Sequence, residues 1–178
     1  MTKDELRRAM KARNRAMDAG ARAAASERIM AQIEAMEVFA RARTVGLFCA
    51  LGDEPDLTPM LHRWRGIKRL AVPRVEGPTM RFFDYDPQTL FPGAFGILEP
   101  GPSARLCRPE ELDLLFIPGV AFTADGLRCG RGRGYYDQYL DLAGFRAVKI
   151  GVCFAHQLVD TLPSEPHDMR MDGVVTDR

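Results

Sequence analysis

Short apolar segments separated by polar, helix-like stretches constrain the fold of this chain more than any other feature of its sequence. The segments are TVGLFCAL (44–51), RLAVPRV (69–75), DLLFIPGVAF (113–122) and VKIGVCF (148–154). Nearly continuous apolar runs of this length are typical of strands that are covered on both faces. Because helical stretches lie between them, the pattern predicts crossover connections and a mostly parallel, mixed sheet. We therefore predict one three-layer α/β/α, Rossmann-like domain that spans residues 1–178.

The helices that would cover this sheet begin near the N-terminus. Thr2 followed by Glu5 fits a capping box, and the helical spacing after it predicts a first helix from about Lys3 to Met17. Five prolines between residues 86 and 111 predict an irregular surface connection. Further predicted elements are an amphipathic helix after Gly20, a short helix over TPMLHRWR (58–65), and strands over MRFFDYD (80–86) and GVVT (173–176).

The charge and composition of the chain limit the kinds of partner that it can bind. The formal net charge is +1 at pH 7, so the molecule as a whole has no field that attracts nucleic acid or an anionic membrane. The basic N-terminal segment lacks the apolar run of a secretory signal, and no apolar run reaches the roughly 18 residues of a membrane span. The four cysteines form no CxxC pair, which favours reduced thiols. We expect a cytoplasmic monomer that binds neither nucleic acid nor membrane.

One stretch, GLRCGRGRGYYDQYL (126–140), does not have the pattern of ordinary core. If it is extended, Arg131, Arg133 and Tyr135 project to one side, while the alternating glycines expose main-chain N–H groups on the other. Phosphate oxygens suit such a loop, and a helix predicted over YYDQYLDLAG (135–144) would add positive dipole character at its start. The pattern is neither a Walker loop nor a dinucleotide fingerprint. On spacing alone, a turn with solvated arginines and a single-stranded nucleic-acid binder remain alternatives.

The order of several motifs resembles a known family. KDELR lies near the start, FCALGDEPD follows the first predicted strand, and RCGRGRGYYDQYL follows DLLFIPGVAF. A C-terminal PHDMRMD completes the pattern. Taken together over nearly the whole chain, these motifs resemble the 5-formyltetrahydrofolate cyclo-ligase family, also called 5,10-methenyltetrahydrofolate synthetase.

The resemblance implies an ATP- and Mg²⁺-dependent ligase. Such an enzyme converts 5-formyltetrahydrofolate to 5,10-methenyltetrahydrofolate and releases ADP and phosphate. A formamide oxygen is a very poor leaving group, so the family phosphorylates it, and the neighbouring amine then attacks the carbon of the iminium phosphate. The protein must align the γ-phosphate with the formyl oxygen and stabilise spreading negative charge.

The resemblance also implies the roles of individual residues. Asp137 and Asp168 would ligate Mg²⁺, which prefers carboxylate oxygens and water. Cys49, Glu54 and Tyr135 would contact the folate, whose ring N–H groups suit a carboxylate at a strand end. Catalytic roles are expected for Arg133, Tyr135 and Asp137. ATP would be bound by Lys3, Arg7, Arg128, Gly130, Arg131, Gly132, Arg133, Gly134, Tyr135 and Tyr136.

Two positions depart from the family pattern. Arg133 stands where many relatives have lysine, and a planar guanidinium holds phosphate differently from an ammonium group. Leu57 stands where a threonine often follows the acidic pair. These departures motivate an alternative hypothesis, a non-catalytic relative that still binds folate or nucleotide. On the metal side, Asp172 is an alternative to Asp168, and His167 adjoins the latter.

Overall fold

A computed structural model describes residues 1–178. The strands are β1 (Thr44–Gly46), β2 (Arg69–Glu76), β3 (Thr79–Asp84), β4 (Leu90–Pro92), β5 (Leu98–Pro100), β6 (Leu106–Cys107), β7 (Leu114–Pro118), β8 (Ala121–Phe122), β9 (Arg128–Cys129), β10 (Val148–Val152) and β11 (Gly173–Val175). The helices are α1 (Lys3–Arg15), α2 (Ala19–Ala35), α3 (Glu37–Arg41), α4 (Thr58–Trp64) and α5 (Tyr135–Leu140).

A seven-stranded sheet in the order β11-β10-β7-β1-β2-β3-β6 forms the centre of the fold. The strands from β11 to β2 pair in parallel. β2 and β3 form an antiparallel hairpin, and β6 pairs antiparallel with β3 at the edge. The prediction of a mixed, mostly parallel sheet is confirmed.

Alternating side chains of β7 show how the layers are built. Leu114 and Phe116 pack into the core that α2, α3 and α4 cover. Leu115 and Ile117 point to the opposite face, where they pack with residues of α5. All of these β7 side chains are fully buried. A strand with apolar side chains on both faces is covered on both faces, which confirms the predicted three-layer architecture.

The first helix begins where it was predicted but ends at Arg15, and the second begins at Ala19, slightly before its predicted start. The Thr2 hydroxyl accepts a hydrogen bond from the Glu5 N–H at 3.1 Å, and the Glu5 carboxylate accepts one from the Thr2 N–H at 2.7 Å. This reciprocal capping box fixes the start of α1. Leu6 and Met10 of α1 pack with residues of β8 and β9, separately from the two cores of the central sheet.

Several boundaries differ from prediction. DLLFIPGVAF is two strands, because β7 ends at Pro118 and β8 then pairs with β9 in a separate ribbon. Of TVGLFCAL, only residues 44–46 are strand. The proline-rich connection contains a second ribbon, formed by β4 and β5, so it is more regular than predicted. No helix has both the length and the apolar character that crossing a bilayer requires.

Candidate active site

A cavity of about 300 Å³ opens at the carboxyl ends of the parallel strands. Its floor includes Phe48 and Cys49, which follow β1, and Pro118 and Gly119 at the end of β7. β1 lies between β2 and β7 in the sheet. The chain runs from β1 to β2 on one side, and the later parallel strands, beginning with β7, lie on the other side of β1. Crevices at such reversals of strand order are where open α/β sheets bind ligands. The topology therefore identifies this cavity as the candidate site.

Every site residue that the sequence predicted lines this one cavity. The residues come from α1, the loop after β1, the glycine-rich stretch, the start of α5 and the C-terminal segment. They are Lys3, Arg7, Cys49, Glu54, Arg128, Gly130, Arg131, Gly132, Arg133, Gly134, Tyr135, Tyr136, Asp137 and Asp168.

The glycine-rich loop is not extended as predicted. Gly132 and Gly134 have φ values of 105° and 75°, a left-handed region in which a side chain is strained. As a result, the Arg131 side chain turns to the loop after β1, and the Arg133 side chain lies over Phe95. None of the main-chain N–H groups from Gly130 to Gly134 donates a hydrogen bond. A run of N–H groups without acceptors is a ready site for an anion.

Two arginines connect this loop to α1 and to the end of β7. Arg7 donates from Nε to the Gly130 carbonyl at 2.9 Å. Arg128 donates from Nε to the Pro118 carbonyl at 2.8 Å and lies 3.6 Å from the Asp137 carboxylate. Only 8% of the Arg128 side chain is exposed, and burial lowers its pKa from the usual value for arginine. Because guanidinium remains protonated at neutral pH, a buried positive charge faces the cavity.

An ion pair between a partly exposed arginine and a buried carboxylate connects the loop to the segment after β1. Arg131 donates to the Glu54 carboxylate at 3.1 Å and to the Asp53 carboxylate at 2.7 Å. The second Glu54 oxygen accepts from the Leu51 N–H at 2.9 Å. Burial raises the pKa of Glu54 above its usual value, while the Arg131 charge opposes the increase. The Glu54 carboxylate is therefore held in place, and the positive charge of Arg131 partly compensates its negative charge.

The two acids expected to bind metal lie on the same cavity. Asp137 is in the first turn of α5 and is mostly exposed, whereas Asp168 lies 3.6 Å from the Lys3 ammonium group. Carboxylate oxygens are the ligands that Mg²⁺ prefers, so both side chains have the chemistry that the ion requires. Asp172, the alternative, instead accepts from the Lys149 N–H at 2.8 Å and does not line the cavity. His167 lies 3.0 Å from Glu165 and 4.0 Å from Asp168.

Both tyrosines and the thiol of Cys49 also border the cavity. The Tyr135 hydroxyl donates to the Gly77 carbonyl at 3.4 Å, which links α5 to the β2–β3 turn. The Tyr136 ring lies 5.2 Å from the Arg128 guanidinium, a cation–π distance. Burial raises the pKa of Cys49 to about 11. The thiol is therefore protonated at neutral pH and belongs to the lining, not to the nucleophiles.

Sequence reasoning missed the apolar side of the cavity. Its members are Phe48, Leu51, Pro73, Val75, Met80, Phe95 and Ile97, and a carboxylate that was also missed, Glu99, lines the same cavity. Phe95 and Glu99 lie in the proline-rich connection, where no periodicity marks them. By contrast, Leu57 is fully buried in the core and does not line the cavity. The departure at Leu57 is therefore a packing feature.

Known proteins match this chain over most of its length. The profile of the 5-formyltetrahydrofolate cyclo-ligase family matches residues 1–177. The 5-formyltetrahydrofolate cyclo-ligase of Mycolicibacterium smegmatis is 28% identical over 98% of this chain and 93% of its own length. That of Escherichia coli is 34% identical over 76% of this chain and 78% of its own length.

Two solved structures of related proteins have a similar fold. The 5,10-methenyltetrahydrofolate synthetase of Aquifex aeolicus is 33% identical, with a TM-score of 0.90 over 100% of this chain and 91% of that chain. The synthetase of Mycoplasma pneumoniae is 22% identical and shares the fold, with a TM-score of 0.81 over 100% of both chains. On the profile match, the sequence relatives and the shared fold, this chain belongs to the 5-formyltetrahydrofolate cyclo-ligase family.

Proposed function

We propose that this protein uses ATP and Mg²⁺ to close 5-formyltetrahydrofolate into 5,10-methenyltetrahydrofolate, with release of ADP and phosphate. Family membership supports the reaction class. One observation carries the ATP-dependent part: the N–H groups of Gly130 to Gly134 have no acceptor, and cationic side chains surround them. A triphosphate supplies the oxygens and the negative charge that such a loop lacks.

The proposed reaction has two steps. The formyl oxygen attacks the γ-phosphorus, ADP leaves, and the formyl nitrogen donates its lone pair to give an iminium phosphate. The neighbouring amine then attacks the iminium carbon and loses its proton, and the carbon–oxygen bond breaks as phosphate leaves. Both steps develop charge on phosphate oxygens, so positioning and electrostatic stabilisation dominate catalysis.

On the nucleotide side, Lys3, Arg7, Arg128 and Arg133 would supply the positive charge. Arg128 is suited to this role because its charge is buried and its ion-pair partner, Asp137, is as far as 3.6 Å away. Arg133 makes no ion pair, so its guanidinium is available to a phosphate. With Tyr135 and Asp137, Arg133 would lie next to the transferred phosphoryl group.

Asp137 and Asp168 would hold Mg²⁺ beside these phosphates. The ion would neutralise charge on the bridging and terminal phosphate oxygens. Without it, the two carboxylates face the cations Arg128 and Lys3, which keep them on the cavity wall.

On the folate side, Cys49, Glu54 and Tyr135 would border the ring system. Val75, Met80 and Ile97 add apolar surface next to them. The cavity lining thus combines cationic and apolar side chains, which are the two kinds of surface that a triphosphate and a reduced pterin need.

The test is a direct assay of the reaction. The protein is mixed with 5-formyltetrahydrofolate, ATP and Mg²⁺, and the absorbance band of the methenyl product is followed. ADP and phosphate should appear in equal amounts with the product. Binding of either substrate without product would favour the non-catalytic alternative, and no product from folded protein rejects the proposed function.

The Asp137→Asn variant tests the metal role. We expect at least about a 100-fold loss of turnover, because even residues behind a metal ligand contribute 10- to 100-fold. Asp141→Asn is the matched control, since Asp141 caps the other end of α5 and does not line the cavity. Full activity in Asp137→Asn would contradict the assigned role.

A further inference from the structure

Glu99 is a buried carboxylate on the cavity wall that makes no ion pair. It lies in β5, is 7% exposed, and lines the cavity. The N–H groups of Val75 and Ala94 face its carboxylate, the first at the long distance of 3.4 Å. The nearby Arg74 guanidinium instead donates to the carbonyls of Pro100 and Gly101. A buried carboxylate is costly unless donors satisfy it, so Glu99 has unused acceptor capacity.

The surrounding chain is shaped around this carboxylate. A side chain at Gly93 would place its Cβ 2.3 Å from the Glu99 carboxyl carbon, so a larger residue there would have to displace the Glu99 side chain from its present position. Phe95 follows with a φ of 61° and lines the cavity beside Glu99. Burial raises the pKa of Glu99 above its usual value. The close approach at Gly93 and the turn at Phe95 indicate a built site.

Glu54, the other buried acid of the cavity, differs in its partners. Glu54 accepts from Arg131 and from the Leu51 N–H at normal distances. Glu54 therefore has an ion-pair partner at hydrogen-bond distance, whereas Glu99 has none and is stabilised only by the more distant charge of Arg74 and by two main-chain N–H groups. A ligand that offers two neighbouring N–H donors would gain more from Glu99 than from Glu54.

The reduced pterin of the proposed substrate carries such an edge, an exocyclic amino group next to a ring N–H. Two parallel donors match the two oxygens of one carboxylate, as in an arginine–carboxylate pair. Its ring faces would lie against apolar side chains such as Val75, Met80 and Phe95. We propose that Glu99 accepts hydrogen bonds from this amino and ring N–H edge, and so selects amino-bearing pterins. This inference rests on the proposed function.

Glu99→Gln tests the proposal, because the amide keeps the size of the side chain but turns one acceptor into a donor. Calorimetry with 5-formyltetrahydrofolate in the absence of ATP should show about 10- to 100-fold weaker binding. ATP binding should stay within about twofold of wild type. Glu76→Gln is the control: Glu76 is a nearby carboxylate that pairs with Arg81 and does not line the cavity.

A substrate analogue without the exocyclic amino group separates recognition from structural support. The wild type should bind this analogue much more weakly than 5-formyltetrahydrofolate, whereas Glu99→Gln should bind the two with similar affinity. The thermal midpoint of Glu99→Gln should equal or exceed that of wild type, since the variant removes a buried charge that has no ion-pair partner.

Each result supports or overturns the assignment of Glu99. Equal affinity of wild type and Glu99→Gln for 5-formyltetrahydrofolate overturns the assignment of Glu99, as does an equal loss of ATP and folate binding with a lower thermal midpoint. If wild type binds the folate but forms no product, the proposed function fails while the binding comparison still tests Glu99. If wild type binds no folate, both proposals fail.

Discussion

The ion pair of Arg131 with the buried Glu54 should make stability depend on pH in a specific way. Removing one partner of a buried ion pair typically costs about 3–5 kcal/mol, because the other charge is left uncompensated. Arg131 is 37% exposed at its side chain, and Glu54 keeps the N–H of Leu51. Both facts reduce the cost. We expect Arg131→Ala to lower the free energy of unfolding by about 2–3 kcal/mol at pH 7.5.

The pH dependence identifies the cause. Without Arg131, the pKa of Glu54 rises further, because the Coulombic opposition to burial is gone. A carboxyl with a raised folded pKa binds its proton more tightly in the native state, so stability falls as pH rises from the unfolded value toward the folded one. The loss in Arg131→Ala should therefore be largest at pH 7.5 and shrink as pH falls toward about 4.5.

Urea unfolding at pH 5.0 and 7.5 measures these differences. Arg133→Ala is the control, since Arg133 is exposed and makes no ion pair, and it should change stability by less than about 0.5 kcal/mol. Glu54→Gln in the Arg131→Ala background should restore part of the loss, because a neutral amide can still accept from Leu51. If Arg131→Ala matches the control, or if its loss is the same at both pH values, Glu54 is not a buried charge compensated by Arg131.

Three further predictions concern the loop, the core and a half-buried histidine. Gly132→Ala should raise the KM for ATP because a side chain strains its φ of 105°, whereas Gly66→Ala, equally strained at a φ of 81° but outside the cavity, should not. Leu57→Ala should cost about 2–5 kcal/mol of stability in thermal unfolding while leaving both KM values unchanged, because Leu57 is core; altered KM values would contradict this assignment. Burial, and then Arg13, lower the pKa of His156, so stability should fall as pH drops below about 6.5; His156→Gln should flatten that decline, and an unchanged slope would exclude His156 as its source.

Much of the fold followed from the periodicity of the chain. The apolar runs predicted strands covered on both faces, and alternating Leu114–Ile117 side chains fill both cores. The split of DLLFIPGVAF was not predicted, although Pro118 and Gly119 mark it. The antiparallel β2–β3 pairing also had a local cue, since Gly77, with a φ of 61°, lies in the short turn between the strands.

The site was predictable where its residues fall in continuous motifs. The glycine-rich loop and the acidic pair after β1 each stand out in the sequence, but nothing local indicates that Arg131 pairs with Glu54, 77 positions away. Glu99 and Phe95 were missed for a different reason. Their segment has no periodic pattern, and its position depends on the β4–β5 ribbon and on the contact of β5 with β2. Such placement is a product of tertiary packing.

The alternation of arginine and glycine in the loop has a division of roles that the sequence alone did not show. Arg7 donates to the Gly130 carbonyl and Arg128 donates to the Pro118 carbonyl at the end of β7, so the loop is fixed without use of its own N–H groups. The left-handed glycines direct the chain so that the N–H groups between Gly130 and Gly134 stay without acceptors. An anion that binds there need not displace internal hydrogen bonds or order the loop first. The free energy of ordering the loop and of leaving its N–H groups without acceptors is spent during folding. More of the free energy of interaction with phosphate oxygens therefore contributes to binding and to stabilising the charge that develops in the reaction.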